Sequence, residues 1–123
     1  MAIEFSTGNF NESAFEHKGW VIGNFMGPDS LFYSKDLEIK WARHKKGEVK
    51  EARTTSNATT LSILISGKFL VKFPTGEEVL LAKEGDYIFY RPNFPHVAET
   101  LEDSLLVVIR WPSIPPEIKD KIV

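Results

Sequence analysis

A period of two runs through the middle of the chain. Leu37, Ile39 and Trp41 alternate with Glu38, Lys40 and Ala42, which predicts a strand with one face buried, ended by the turn Lys45, Lys46, Gly47. Residues 59–66 are rich in β-branched side chains and stop at Gly67, after which Lys68, Leu70 and Lys72 alternate with Phe69, Val71 and Phe73. Pro74, Thr75 and Gly76 then turn the chain into Val79, Leu80 and Leu81, so this stretch reads as a hairpin. Gly85 and Asp86 open a strand from Tyr87 to Arg91, a proline-rich bend follows, and two further strands are expected at 97–100 and 105–111. Pro112, Pro115 and Pro116 end regular structure.

Many short strands separated by turns, with almost no helical period, predict an all-β sandwich or barrel. Parallel βαβ architecture is excluded for want of crossover helices. No repeat, low-complexity tract or linker interrupts the chain, so residues 1–123 read as one domain. Its barrel core lies at 37–112, with an N-terminal arm or edge strand over 1–18 and a tail over 113–123 that holds at most one helical turn.

Composition narrows the partners. A chain of 123 residues buries roughly two thirds of its unfolded surface without staples. Its 42% hydrophobic and 26% charged residues are those of a soluble globular protein. With a formal charge of −2 and scattered Lys and Arg, the chain has no electrostatic footprint for nucleic acid or an anionic membrane. The absence of cysteine removes disulfides, thiolate metal sites and thiol nucleophiles. Neither a basic, apolar leader nor a stretch of about twenty apolar residues is present, so a cytoplasmic protein is expected.

The stretch GDYIFYRPNFPH, residues 85–96, delivers His96 at the end of a stiff, proline-flanked segment. Gly85 and Asp86, an apolar strand, then Pro92, Pro95 and His96 resemble the second conserved motif of the cupin superfamily. Residues 61–69 resemble the end of the first cupin motif, where a strand runs to a glycine at a hairpin, and 105–111 resemble the strand after the second. The resemblance covers about residues 37–112 and implies an RmlC-like jelly-roll barrel, a double-stranded β-helix. In such a barrel His96 points inward and usually binds a metal. The first motif departs from the pattern. Metal-binding cupins place two histidines one residue apart, and a glutamate seven residues before the glycine. Here Thr60 takes the glutamate position, and the histidine positions fall on or near Thr54 and Ser56. A divalent ion needs three or four imidazole and carboxylate ligands, so no metal or other cofactor is favoured.

Four readings of His96 stand open. It is a hydrogen-bonded core histidine; or it lines, with Thr54, Ser56, Thr60, Ser62 and Arg91, a pocket for a small organic molecule. The third makes it the acid or base of a metal-free isomerase or lyase. In the fourth it joins His44 and Glu48 in an irregular metal centre of the dioxygenase type. The residues favour the small-molecule pocket. Arg91 and Arg110 are strand-end cations suited either to clamping a carboxylate or phosphate or to salt bridges at the barrel rim. His44 precedes two lysines at a turn and reads as solvated, although alternation leaves open whether it or Arg43 faces the barrel. His17 reads as surface. Trp41, Tyr87, Phe89, Phe94 and Trp111 read mostly as core. If Thr60 faces inward, Ser62, Leu64 and Ser66 do too, and Leu61, Ile63 and Ile65 form an outward apolar row that predicts a homodimer.

Overall fold

The computed structural model describes residues 4–52 and 57–113. Seven strands follow a short helix, α1 (Phe10–Ser13), and a 3-10 turn at Ala14–His17. They are β1 (Trp20–Ile22), β2 (Glu38–His44), β3 (Val49–Ala52), β4 (Thr59–Lys72), β5 (Glu78–Leu81), β6 (Tyr87–Tyr90) and β7 (His96–Trp111). All named strand pairs are antiparallel.

The two long strands organise the rest. β4 and β7 pair along their length, from Thr59 opposite Trp111 to Lys72 opposite Val97, with the register shifting between Leu64 and Phe69. One half of this ladder carries β2 and β1 on one side and β6 on the other. The other half carries β3 and β5. The result is two leaves, ordered β1-β2-β7-β4-β6 and β3-β7-β4-β5, that share two bent strands and face one another across the interior, a jelly roll. No described helix is long and apolar enough to cross a membrane.

Gly67 is where β4 passes from one leaf to the other. Its φ is +99°, and a side chain there would run into Ser104 Oγ and the Asp103 carbonyl oxygen on β7. Glycine alone satisfies both the backbone angle and the close approach. The chain therefore continues through Gly67 instead of turning back, and the expected separate strands at 97–100 and 105–111 are likewise one strand. Both breaks are shifts of register inside a ladder whose backbone pairing resumes.

Leu64, Leu81 and Leu106, each at most 1% exposed, fill the space between the leaves together with Ala42, Phe69, Val71 and Ile88. Burying one such leucine is worth about 1.5–3 kcal/mol. Thr60, Ser62 and Leu64 face inward on β4, and Leu61 and Ile63 outward, as the alternation predicts. Ser66, expected inside, is exposed, because the register shift after Leu64 ends the alternation.

β2 is inverted relative to its sequence reading. Glu38 and Ala42 are buried, while Leu37, Ile39 and Trp41 sit half-buried on the outer face. On that face Trp41 is covered by the N-terminal segment. Asn9 caps α1, its Oδ1 accepting from the Asn11 N–H at 2.8 Å. Asn11 Oδ1 in turn accepts from Trp41 Nε1–H at 2.9 Å and Arg43 Nη2–H at 2.6 Å, and the Phe10 and Trp41 rings lie 6.1 Å apart. Apolar residues there are satisfied from outside, which frees the inner face for polar side chains.

Candidate functional site

Between the leaves lies a cavity of about 90 Å³. Its floor is apolar, built from Ile88, Leu106 and Val108; its rim carries Arg91, Asn93 and Phe94 from the bend between β6 and β7. Asp86 sets the entry into β6: its Oδ2 accepts the Ala82 and Lys83 N–H groups at 3.0 and 2.9 Å. Those two bonds hold the Asp86 carboxyl below the ordinary carboxylate range. From that turn β6 alternates, burying Ile88, directing Tyr90 to the cavity and leaving Tyr87 and Phe89 exposed on the other face.

His96, the first residue of β7, is fixed from both sides. Nδ1 lies 3.0 Å from the Phe94 carbonyl oxygen, which can only accept, so Nδ1 carries the hydrogen. Nε2 is then the acceptor for Tyr90 O–H at 3.1 Å. Burial lowers the His96 pKa, helped by the nearby Arg110 charge and opposed by the Phe94 hydrogen bond. Burial raises the Tyr90 pKa, so at neutral pH the pair is uncharged, a phenol donating to a bare imidazole nitrogen.

His44 also lines the cavity, which corrects its reading as a solvated residue; Arg43 is the exposed one of the two. The inversion of β2 turns it inward. Its Nδ1–H donates to Glu48 Oε2 at 2.9 Å. Burial lowers its pKa despite that bond, so the contact at neutral pH joins a neutral imidazole to a carboxylate and is not an ion pair.

Arg110 is the residue whose placement differs most from expectation. Instead of standing at the rim it is 8% exposed, on the inner face of β7 and in the cavity wall. Its guanidinium carbon lies 5.1 Å from the Trp20 ring centroid, and Nη1 is 4.0 Å from Glu38 Oε2. Glu38 is fully buried, its Oε1 accepting from Ser113 Oγ at 2.9 Å. Burial depresses the Arg110 pKa, with Glu38 and Tyr90 acting against it, and an arginine remains charged under such pressure. The alternation of Leu106, Val108 and Arg110 could have signalled this burial, but the flanking residues are apolar on both faces and blur it.

Of the sequence-predicted pocket residues, Thr60, Ser62, Arg91 and His96 line the cavity, with Arg91 exposed at its rim. Thr54 and Ser56 lie outside the described residues. His44 and His96 border the same space, but Glu48 turns to His44 and is not among the cavity walls. Among the described residues no group of three or more His, Cys, Asp or Glu side chains could hold a metal ion. Two imidazoles fall short of the three or four donors a divalent ion requires, so the described residues do not fit the usual cupin metal.

The two buried histidines make stability depend on pH. Both have folded-state values below the 6.5 of a free imidazole. As the pH drops through that value the unfolded chain takes up protons that the folded chain refuses, so stability falls on acidification and levels off below the folded pKa values. Melting temperatures recorded between about pH 8 and about pH 5 should be level at the upper end and decline below neutrality. The double variant His44→Gln, His96→Gln should flatten the decline; a melting temperature that rises on acidification would contradict the assignment.

No protein-family model matches the chain, and no curated protein matches it in sequence. Solved structures do match. The EutQ protein of Clostridium difficile is 16% identical over 64% of this chain and 59% of its own, with a TM-score of 0.56. KdgF from a Halomonas species is 24% identical over 66% of this chain and 74% of its own, at 0.58. An RmlC-like cupin from Shewanella frigidimarina is 20% identical over 69% and 73%, at 0.59. The matched part of the chain spans about three fifths of the EutQ structure.

Proposed function

With the cupin jelly roll as premise, we propose that this protein binds a small organic molecule in the cavity between its leaves and does so without a bound metal. The observation that carries the reading is the composition of that cavity: Thr60, Ser62, Tyr90 and His96 converge on a space otherwise walled by Ile88, Leu106 and similar apolar residues. A few placed polar groups in an apolar concavity are what orient a small ligand. The volume of about 90 Å³ would hold about six to nine waters, and so a compact organic molecule.

A second reading, a metal-free isomerase or lyase, is favoured by one contact. Tyr90 and His96 present a proton donor and a proton acceptor 3.1 Å apart in the wall of the same cavity. Such a pair can accept a proton from one substrate atom on Nε2 and return one from the phenol to another. The partner proposed for the chain as a whole is a second copy of itself, joined through the outer face of β2, β7, β4 and β6.

A fragment screen read by thermal stabilisation tests the binding reading, since a ligand that favours the folded state raises its melting temperature by mass action. A saturable shift is expected in the wild type, with His96→Ala weakening it about tenfold, the loss of one good hydrogen bond. If no fragment gives a saturable shift, or if His96→Ala leaves the affinities unchanged, the cavity is not the binding site. Turnover of a bound compound, abolished in His96→Ala, would move the assignment to the enzyme reading.

A further inference from the structure

We propose that the molecule bound in this cavity is a small organic monocarboxylic acid, seated with its carboxylate on Arg110. The inference rests on the small-molecule reading above and names the chemical class of the ligand. It starts from an electrostatic imbalance. The chain as a whole carries a net charge of −2, yet Lys40, Lys50, Arg91 and Arg110 line the cavity together with His44 and His96, and no Asp or Glu does among the described residues. A concavity walled by one sign of charge over an apolar floor concentrates the opposite sign.

Arg110 then locates the anion. Its Nε and Nη1 are buried and have no hydrogen-bond partner among the described residues. Glu38, the acid beside it, approaches only to 4.0 Å, beyond hydrogen-bond range. A buried charged group with unmet N–H donors is among the costlier arrangements in a folded protein, and residues of this kind mark places where a further partner belongs. Trp20 covers the guanidinium at 5.1 Å, so an oxyanion entering the cavity that Arg110 lines would meet the N–H edge, the side chain turning to bring its buried donors to it.

The surroundings choose between oxyanions. Phosphate at neutral pH carries between one and two charges and is bulkier and more strongly hydrated, whereas a carboxylate beside the buried Glu38 brings a single charge. Ile88, Leu106 and Val108 offer a carboxylic acid a dry wall for a short hydrocarbon body. Tyr90 and His96, 3.1 Å apart, line the same cavity as Arg110 and offer a phenol and an imidazole to the rest of a molecule held there.

The test uses the full chain labelled with nitrogen-15 and three probe sets: butyrate and benzoate, their neutral amides butyramide and benzamide, and inorganic phosphate. The arginine side-chain Nε–H signals report directly, that of Arg110 being assigned by its loss in Arg110→Lys. Butyrate or benzoate should move the Arg110 signal saturably, with the matching amide at least about tenfold weaker, the difference a charge-assisted bond makes. Arg110→Lys, which keeps the charge opposite Glu38, should bind the acids about tenfold more weakly. Amides that bind as well as acids overturn the carboxylate inference while leaving the small-molecule reading standing. Phosphate that binds more tightly than both acids overturns the carboxylate class. If no probe moves the signal, the inference falls, and the fragment screen decides separately whether the cavity binds anything else.

Discussion

Gly67→Ala should destabilise the protein by about 2–5 kcal/mol, the sum of a left-handed backbone penalty and an overpacked contact. The residue's φ of +99° is unfavourable for any side chain, and the new methyl would lie 2.6 Å from Ser104 Cα as well as against the Ser104 hydroxyl and Asp103 carbonyl. Those atoms have little freedom to retreat. Ser104 is 4% exposed and its Oγ lies within hydrogen-bond distance of the Glu102 and Lys68 carbonyls, at 2.7 and 3.2 Å. Gly76 supplies the control, because it has nearly the same φ, +94°, and nothing within 4 Å of its would-be side chain. Gly76→Ala should therefore cost only the backbone part, about 1–2 kcal/mol. Urea unfolding of both variants reads the difference. Equal losses would mean that β7 yields to the methyl and that the crossing of β4 is less tightly packed than its geometry indicates.

The second large effect concerns assembly. Cross-strand neighbours place Ile39, Ile109, Leu61 and Phe89 in one row and Val107, Ile63 and Tyr87 in the next, on the outer face of four adjacent strands, with Trp41 at the end of the second row covered by Phe10 and Asn11. Neither row contains a charged residue. Tyr87 is 64% exposed, Phe89 50%, and Trp111 packs its ring 6.1 Å from that of Phe89. A two-fold dimer needs a surface complementary to itself, and an uncharged apolar face meets that condition without any pairing of unlike groups. The wild type should sediment at twice 14.0 kDa at micromolar concentration. Phe89→Lys should raise the dissociation constant by about 30-fold to 1,000-fold, the effect of replacing an exposed aromatic anchor by a charge. Since Phe89 points away from the core, the variant should keep its melting temperature under conditions where both proteins are monomeric. A monomeric wild type, or an undiminished dimer in Phe89→Lys, would remove this face from consideration.

How much of this can be read from the chain depends on what each residue answers to. Turn chemistry is local, so Pro74 to Gly76 and Gly85 with Asp86 announce the ends of β4, β5 and β6 without reference to the rest of the fold. The phase of β4 is legible too, because Gly67 fixes the count back to Thr60 and the period of two does the rest. The same rule misleads at β2. It assumes that the apolar face turns inward, whereas here the inner face borders a polar cavity and Asn11 and Phe10 cover Trp41 from outside. His44 inherits that error directly. Arg110 is hidden for a different reason: its environment is made by Trp20, Glu38 and Tyr90, residues scattered over ninety positions that only the folded ladder brings together. Continuity through Gly67 is also invisible in one dimension, since a glycine that lets a strand bend looks the same as one that ends it.

The seat of Trp20 against Arg110 has a practical side. Its indole is 5% exposed, with the Arg110 guanidinium 5.1 Å and the Lys40 ammonium 5.6 Å from the ring centroid, both of them cavity cations. Indole emission shifts with the electric field across the ring, so an anion arriving at those cations changes the colour and yield of the light this residue emits. The chain has three tryptophans, and Trp41 and Trp111 lie on the opposite face of the sheet, where Phe can replace either. What remains is a fluorophore packed against two side chains of the cavity wall, able to follow its occupancy in real time without any label.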